Sequence, residues 1–436
     1  MSTTLANCRK ELSKQVGDYW DSASTSAGTT SGTTIVDTEL KAKSNDWIDA
    51  EGEMYDLITE AGHARIDEER KISSLSNTLG TLTILAHGGQ IPTSCDYEVH
   101  RLFTASEKRR ALIYSARGAF PWIHEKIWDE SMVSGNWLKD GSFEIWTSSS
   151  ALTHWSKNGA CTLAQTTTSP YYKHGATSCK ISGTADYIYQ DIAKWDDLKH
   201  LAGKTVTFTA QVHADTASDC RLGILYDGTN VSYSSYQSDA GAWTEHDDPL
   251  SVEYTIDDHP TDIEFRIYHD AAAGTIYVDD ARVICGSDKP RLYIADLGLA
   301  QETPIQVFIE PSDYSKEAIW TLIHNTVVDT ENGYLYLPTG VSNDYRLRII
   351  GMGYLDFLVS GVSSTAWAST INIDAPQTDI LMAQAALYLY TWMAMPDFSS
   401  GDRTQYQQMM GYWEQELRKR IGKHGMPIPS SPVKWR

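Results

Sequence analysis

The chain has 436 residues, 41% of them hydrophobic and 11% aromatic, which is enough apolar material for two or three packed domains. Its formal net charge of -21 excludes a broad nucleic-acid-binding surface, because neutralising phosphates takes clustered Lys and Arg. No stretch of about eighteen apolar residues occurs and the first ten residues hold no apolar leader core, so neither a membrane helix nor a secretory signal is expected.

The chain opens on a helical pattern, with Leu5, Cys8, Leu12 and Val16 at amphipathic spacing. A Ser, Thr and Gly-rich stretch from Ser22 to Thr34 reads as loop and leads into a strand over Thr33 to Val36. Alternation then predicts strands over Trp47 to Ile58, His63 to Ile66 and Leu79 to Leu85, followed by an extended stretch from Tyr97 to Phe103. At Thr104-Ala105-Ser106-Glu107 the period turns helical behind a capping box, and a helix is expected over Ala105 to Ala116.

From Asn136 to Gly286 strand-like runs recur with turn signals between them, as a β-sandwich requires. The stretch opens with Asn136-Trp137-Leu138-Lys139-Asp140-Gly141-Ser142-Phe143-Glu144 and closes with Gly274-Thr275-Ile276-Tyr277-Val278-Asp279-Asp280. Linkers are placed at Ser131 to Gly135 and Gly286 to Lys289, since a guest whose ends lie close together is easily inserted.

Strand patterns resume at Arg291 to Ile294, Ile305 to Ile309, Tyr334 to Leu337 and Tyr345 to Gly351. A helix from Gln377 to Met395 is apolar nearly all round and must be buried, and Pro396 ends it. Asp402 caps a last helix with Tyr406, Met410, Trp413, Leu417 and Ile421 as its stripe, pairing antiparallel with the one before. From Lys419 the chain reads as an extended basic arm that docks on a neighbouring subunit through Arg420, Lys423, Pro427, Pro429, Trp435 and Arg436, because its prolines exclude helix and central strand. Six cysteines without CxxC spacing predict reduced, buried thiols.

The central stretch resembles the carbohydrate-binding modules found beside xylanases and related glycoside hydrolases. The resemblance is carried by Gly141-Ser142-Phe143-Glu144, His174-Gly175, Tyr187-Ile188-Tyr189-Gln190, Leu201 to Phe208, Trp243-Thr244 and Tyr277 to Asp280. It implies a jelly roll and a structural calcium linking Glu144 to Asp279. Sugar recognition needs an aromatic platform with polar partners for the hydroxyls. Trp155, Tyr187, Tyr226 and Tyr268 are the first candidates for the platform, Tyr233 and Tyr236 are ranked last, and Gln190, Arg266 and His269 are the candidate partners.

The two flanks look like tailed-bacteriophage head-tail connector adaptors, with a short N-terminal helix, a small β-region, the helix after Phe103, a closing helical hairpin and an extended arm. That resemblance implies a structural virion protein of the neck, assembled in the host cytoplasm, in a ring of about a dozen copies. Its partners would be the portal protein and the next neck or tail protein, with surface glycans for the module and DNA passing through without sequence-specific binding. A tail-fibre or receptor-binding component and a non-viral carbohydrate-binding protein are the alternatives. No GxSxG, HExxH, Walker loop or GxGxxG occurs and no flank can house a (β/α)₈ barrel, so catalysis is not expected and no cofactor beyond the calcium is required. The fold expected is α+β, a connector domain of helices and small sheets formed by both chain ends (1–135 and 287–418). It is interrupted by an all-β jelly-roll sandwich (136–286) and followed by the arm (419–436).

Overall fold

The computed structural model describes residues 2–48, 54–226, 228–271, 274–286, 291–300, 303–311, 319–395 and 403–429, together with the backbone of Lys434 and Trp435. The chain divides into two compact units, one of 1–125 with 354–428 and the other of 126–353 with 429–436. Among the described residues no helix is long and apolar enough to cross a membrane. All six cysteines are buried, and none forms a disulfide.

The first unit draws its core from both chain ends. Leu5, Cys8 and Leu12 form the buried stripe of helix α1 (Leu5–Gln15), whose Thr4 cap accepts the Asn7 amide at 3.1 Å. Helix α2 (Ala105–Gly118) starts at the expected capping box, with the Glu107 amide donating to Thr104 Oγ1 at 3.0 Å and the Glu107 carboxylate accepting the Thr104 amide at 2.8 Å. Helix α3 (Gln377–Met393), apolar on most faces, buries Ile380, Leu381, Met382, Ala385 and Leu389. Trp413 and Leu417 of helix α4 (Arg403–His424) share that core with α1, α2 and α3. Thr3–Thr4 pairs antiparallel with Thr370–Ile371, and the Leu5 and Ala6 amides donate to the Ser369 and Trp367 carbonyls at 2.8 and 3.0 Å. The first residues of the chain are thereby stitched to its last third.

A six-stranded sheet completes this unit, in the order Asp21–Ala23, Asp96–His100, Tyr55–Ile58, Glu69–Ser76, Thr81–Ile84, Thr34–Val36. Glu69–Ser76 is a strand of this sheet that the sequence reading lacked, and the sheet departs from that reading in three further places. Asp21–Ala23, inside a stretch read mostly as loop, is a strand because Asp96–Glu98 offers it a ladder. Asn45–Trp47 is a 3₁₀ turn, so of the expected strand over Trp47 to Ile58 the part seen is Tyr55–Ile58, with 49–53 outside the described residues. His63 to Ile66 is a turn, held by the Ile66 amide on the His63 carbonyl at 3.1 Å and flanked by Gly62 and Asp67 at positive φ. The Pro396 stop and the Asp402 cap lie outside the described residues.

Charges are buried where α1, α2 and strand Asp96–His100 meet. Arg9 grips Glu98 through Nε and Nη2 at 2.9 and 2.8 Å, and its guanidinium lies 4.3 Å from the Trp367 ring centre. Lys108 Nζ donates to Asp18 Oδ2 at 2.8 Å, Ser13 Oγ at 2.9 Å and His100 Nδ1 at 2.9 Å. The Asp18 carboxylate also accepts the Arg101 and Phe103 amides at 2.7 and 3.0 Å. Removing one member would strand an uncompensated charge, at a cost of about 3–5 kcal/mol.

The second unit holds the sandwich, with strands β1 (Ser156–Lys157), β2 (Cys161–Thr166), β3 (Ser178–Gly183), β4 (Asp186–Ile192), β5 (Thr205–Ala214), β6 (Cys220–Tyr226), β7 (Asn230–Tyr233), β8 (Leu250–Thr255), β9 (Ile263–His269) and β10 (Thr275–Cys285). One sheet runs β1-β4-β9-β6-β7 and the other β2-β3-β10-β5-β8. Alternation sends Phe208 of β5 and Phe265 of β9 inward, where their rings meet at 5.5 Å between centroids in a core that also holds Ile181, Ile188, Val212, Leu222 and Val278. Asn136 closes the module. Its Nδ2 donates to the Ala281 carbonyl at 3.0 Å, and its Oδ1 accepts the Val283 amide at 2.9 Å and the Leu138 amide at 3.1 Å.

Two small sheets with a core of their own follow within this unit. One orders Thr321–Leu322, Gln306–Ile309, Arg346–Gly353 and Glu125–Val133, and the other Arg291–Tyr293, Tyr334–Tyr336, Val327–Asp329 and Lys434–Trp435. The stretch 291–353 therefore groups with the sandwich, not with the helical hairpin. The expected linker at Ser131 to Gly135 is ordered structure: Ser131–Val133 ends a strand, the Ser134 amide donates to the Tyr345 carbonyl at 2.8 Å, and the Asp344 amide returns a bond to the Ser134 carbonyl at 2.7 Å. Of the second linker, Gly286 is a bend and 287–289 lie outside the described residues.

The arm needs correction too. Helix α4 runs on through Arg420 and Lys423, and Arg420 Nη1 donates to Gln15 Oε1 and the Asp379 carbonyl, both at 2.8 Å, which spends that cation inside its own chain. Pro427 and Pro429 lie beyond the helix, and Lys434–Trp435 pairs in parallel with Val327–Val328 as an edge strand of the same chain. An edge position needs no donor from the prolines before it, so the sheet tolerates them. Arg436 and the Trp435 side chain lie outside the described residues.

The buried charges make acid the weakness of the first unit. Burial alone would raise the Glu98 carboxyl, but His100 and Arg9 outweigh it and hold it down at about 2. Burial first, then the Lys108 charge, lowers His100 to about 4. Both folded values lie below the ordinary ones of about 4.3 and 6.5, so the unfolded chain binds more protons as pH falls and the folded state loses stability. For His100 that loss sets in below about pH 6.5 and is complete near the folded value of about 4. His100→Asn removes this titration, so the gap in unfolding free energy between parent and variant should narrow as pH falls from about 6.5 towards 4. A pH-independent gap in denaturant titrations overturns the account.

Candidate functional site

The outward face of sheet β1-β4-β9-β6-β7 is aromatic and cationic. Along β4, Ile188 and Gln190 turn inward while Tyr187 and Tyr189 turn outward. Along β9, Ile263, Phe265 and Ile267 turn inward while Glu264, Arg266 and Tyr268 turn outward. Register then forms two rows across the strands. One places Tyr187 opposite Tyr268 and Tyr268 opposite Arg221. The next places Tyr189 opposite Arg266, Arg266 opposite Gly223, and Gly223 opposite Tyr233.

Rings and guanidinium groups interleave within these rows. Tyr187 and Tyr268 lie 4.9 Å apart between centroids and Tyr268 and Tyr233 5.4 Å. Arg266 stands 4.4 Å over Tyr187, and Arg221 stands 4.1 Å over Tyr233 and 5.0 Å over Tyr236. Carboxylates pin the arginines in place: Arg266 Nε donates to Glu264 at 2.8 Å and Arg221 Nε lies 2.8 Å from Asp270, which also accepts the Tyr236 hydroxyl at 2.9 Å. Arg266 Nη1 reaches the Tyr268 hydroxyl at 3.2 Å. Burial pushes the Tyr268 phenol up to about 12, against the pull of Arg266, so it stays a neutral hydroxyl. Gly223 makes the packing fit. A Cβ there would lie 2.8 Å from the Tyr268 ring and 2.9 Å from Val231, so any side chain would push the central tyrosine off the sheet.

The sequence-predicted residues fall into different places. Tyr187 and Tyr268 point to this face, Tyr268 only 7% exposed beneath its neighbours, and so do Tyr233 and Tyr236, which the sequence ranked last and which are 45% and 41% exposed. Trp155 is a core residue, 4% exposed, stacked on Phe143 at 5.0 Å with its Nε1 bonded to the Asp140 carbonyl at 3.1 Å, so it offers no platform. Gln190 turns inward and exchanges bonds with the backbone of Lys139, accepting its amide at 3.0 Å and donating to its carbonyl, which leaves little for a ligand. Tyr226 stacks on Tyr254 of β8 at 3.9 Å, apart from the tyrosine rows. His269 is fully buried with Nδ1 2.9 Å from Asp219; burial opposes its charge, but the Asp219 bond and charge prevail and raise its pKa. Arg221 and Gly223 were not singled out from sequence. The alternation of Cys220-Arg221-Leu222-Gly223-Ile224 held the signal, but its register against β9 did not show.

Glu144 and Asp279 hold one segment from two sides. Glu144 Oε1 accepts the Ala176 and Thr177 amides at 2.7 and 3.1 Å, and Asp279 Oδ2 accepts the Lys173 and His174 amides at 2.7 and 2.8 Å. Burial raises both carboxyls, opposed by those amide bonds, and Asp279 stands well above the usual carboxylate range. Two N–H donors on Glu144 Oε1 and two on Asp279 Oδ2 occupy the oxygens a calcium would need, and among the described residues no group of three or more His, Cys, Asp or Glu gathers around them. The segment they staple is held by backbone amides instead.

Two clefts of about 340 and 270 Å³ lie elsewhere in this unit, both touching Lys139, His154 and Tyr293, and neither is lined by a tyrosine of the exposed face. Burial pushes the Asp140 carboxyl in the first of them up to about 7. Its two oxygens accept the Glu144 and Ile145 amides at 2.8 and 3.1 Å, which is the work of a turn.

No family model matches the chain, and no curated protein matches it. Solved structures do. The CBM22-1 xylan-binding domain of Paenibacillus barcinonensis Xyn10C is 12% identical with a TM-score of 0.28, covering 38% of this chain and 99% of that one. TmCBM61 in complex with β-1,4-galactotriose is 14% identical with a TM-score of 0.26, covering 34% and 97%. The enzymatically active domain of bacteriophage CBA120 tailspike protein 4 is 13% identical with a TM-score of 0.25, covering 36% of this chain and 21% of that one. At these scores the likenesses carry no argument about function, which rests on the residues of the site.

If amide donors alone satisfy Glu144 and Asp279, the melting temperature should be the same in millimolar Ca²⁺ and after chelation with EDTA. A rise that depends on Ca²⁺ concentration and disappears in Glu144→Gln would restore the metal.

Proposed function

We propose that this chain binds a polysaccharide through the tyrosine–arginine face of its sandwich. The observation that carries this reading is the cross-strand pair of rows, in which Tyr187, Tyr268 and Tyr233 flank Arg266 and Arg221. Sugar rings present apolar C–H faces with hydroxyls at their rims, so a platform must offer flat rings with donors and acceptors fixed beside them. Tyr187 and Tyr233 supply the accessible rings, and Tyr268, 7% exposed, is packed between them. Arginines and carboxylates already locked to one another supply the polar rim without an ordering cost at binding. The role proposed for this face is binding, and Asp140, Glu144 and Asp279 elsewhere in the unit spend oxygens on backbone amides.

The reading of the whole chain as a head-tail adaptor stands as a further proposal. It is supported by the first unit, whose helical core takes residues from both chain ends, so that a long insert between them leaves that core whole. On this reading the chain assembles in the host cytoplasm into a ring at the virion neck, between the portal protein and the next neck or tail protein, and shows its sandwich to surface glycans. Many copies would raise avidity for a weak ligand. Pairing of Lys434–Trp435 with its own chain leaves ring formation to other surfaces.

Calorimetry against xylohexaose, cellohexaose and β-1,4-galactotriose tests the binding face. Tyr187→Ala and Arg266→Ala should each weaken binding about tenfold, or about 1.4 kcal/mol, with little change in melting temperature. Binding that survives both substitutions at full strength moves the site off this face. For the adaptor, immunogold labelling of phage particles with an antibody to the sandwich should mark the head-tail junction. Label at the tail tip would make the chain a receptor-binding component, and absence from particles would end the virion reading.

A further inference from the structure

The sheet ending in Glu125–Val133 carries a second interleaved face, outside the sandwich. Trp128 on its edge strand is 60% exposed. Arg348 on the adjacent strand lies 4.7 Å from the Trp128 ring centre and 4.1 Å from that of Trp320, and Arg346 lies 5.9 Å from the Trp320 ring. Glu130 fixes the pair: it accepts Trp128 Nε1 at 2.9 Å and Arg348 Nε at 2.6 Å. Glu310 grips Arg346 through two bonds of 2.9 Å.

An exposed tryptophan is common, but its ring is ordinarily free to turn, whereas this one is held at its only polar atom by a carboxylate that also clamps the neighbouring guanidinium. Locking an indole open to solvent lowers the ordering cost of whatever lies on it. The chemistry limits the occupant. Two arginines are offset by two glutamates, so the patch selects neither an anionic nor a cationic partner by net charge, and the polar rim disfavours an aliphatic peptide face. A flat ring bordered by fixed N–H donors and carboxylate oxygens matches a neutral pyranose, with its C–H face on the indole and its hydroxyls at the rim.

We propose that Trp128, Trp320 and Arg348 form a second glycan-contact site, for a neutral oligosaccharide, that is independent of the sandwich face. The ligand class rests on the proposed function; the location does not. Two sites in one chain would also favour a long polysaccharide over a short oligomer, because the second contact becomes intramolecular.

Titration calorimetry of the full chain with xylohexaose, cellohexaose and β-1,4-galactotriose tests this. Expected are two sites per chain for the parent, of which Trp128→Ala and Tyr187→Ala each weaken a different one about tenfold and leave the other unchanged, with both weakened in the double variant and Trp128→Phe weakening its site less than Trp128→Ala does. The exposed position of Trp128 predicts an unchanged melting temperature, which separates lost binding from lost fold. If the parent binds a single equivalent that Tyr187→Ala weakens and Trp128→Ala leaves unchanged, the second site is overturned and the sandwich face stands. If the parent binds none of the three probes, the glycan assignment falls for both faces.

Discussion

The side chain of Asn136 is the constraint on which the second unit depends. One amide group bonds the Ala281 carbonyl and the Val283 amide, and so ties the first residue of the module to the last strand that closes it. Two backbone bonds reinforce the closure, from the Trp137 amide to the Val283 carbonyl at 2.9 Å and from the Ala281 amide to the Gly141 carbonyl at 2.7 Å. Gly141 permits the approach, since a Cβ there would lie 2.0 Å from the Ala281 oxygen. With its ends joined, the sandwich leaves and re-enters the rest of its own unit at neighbouring places. Arg282 extends the bond outward, with Asp280 on one side and Asp344 of the following small sheets on the other at 2.7 Å.

The first unit solves the complementary problem of holding together residues more than two hundred positions apart. Its answer mixes apolar packing with buried charge. Helices α1, α2, α3 and α4 share one core, while Arg9 joins α1 to Glu98 on the sheet and lies against Trp367 from the last third of the chain. Buried ion pairs are poor sources of net stability, because desolvation consumes most of what attraction supplies. They do penalise every arrangement that leaves a partner unmatched. In a domain assembled from two distant segments, that penalty selects the correct docking of α1 against the sheet and of the 367–371 stretch against α1.

Both aromatic faces follow one construction. A guanidinium stacks on one or more rings and a nearby carboxylate fixes it, so that each arginine is paired yet still borders an open ring. In the sandwich the carboxylate and its arginine sit two residues apart on one strand, as Glu264 and Arg266 do. In the outer sheet the carboxylate comes from the neighbouring strand, as Glu130 does for Arg348. Strand alternation makes such faces easy to build, because residues two apart share a side and cross-strand partners stand next to each other.

Local chemistry was legible in the sequence. The Thr104–Glu107 box, the stripe of α1 and the apolar girth of α3 each depend on residues within a turn or two, where backbone geometry is set by neighbours. Which tyrosines share a surface was not legible. Tyr187, Tyr233 and Tyr268 meet through strand register, and register is a long-range outcome of closing the sandwich around Phe208 and Phe265. Trp155 and Gln190 were misplaced for the same reason: an aromatic or an amide on an alternating strand can face the core or the solvent, and burial decides between them. The sequence by itself determined the periodicities, caps and acidic composition. The tertiary structure decided that 291–353 packs in the unit of the sandwich, that the C-terminal residues return to their own chain, and which side chains stand together in the open, because these depend on contacts between segments with no local signal for one another.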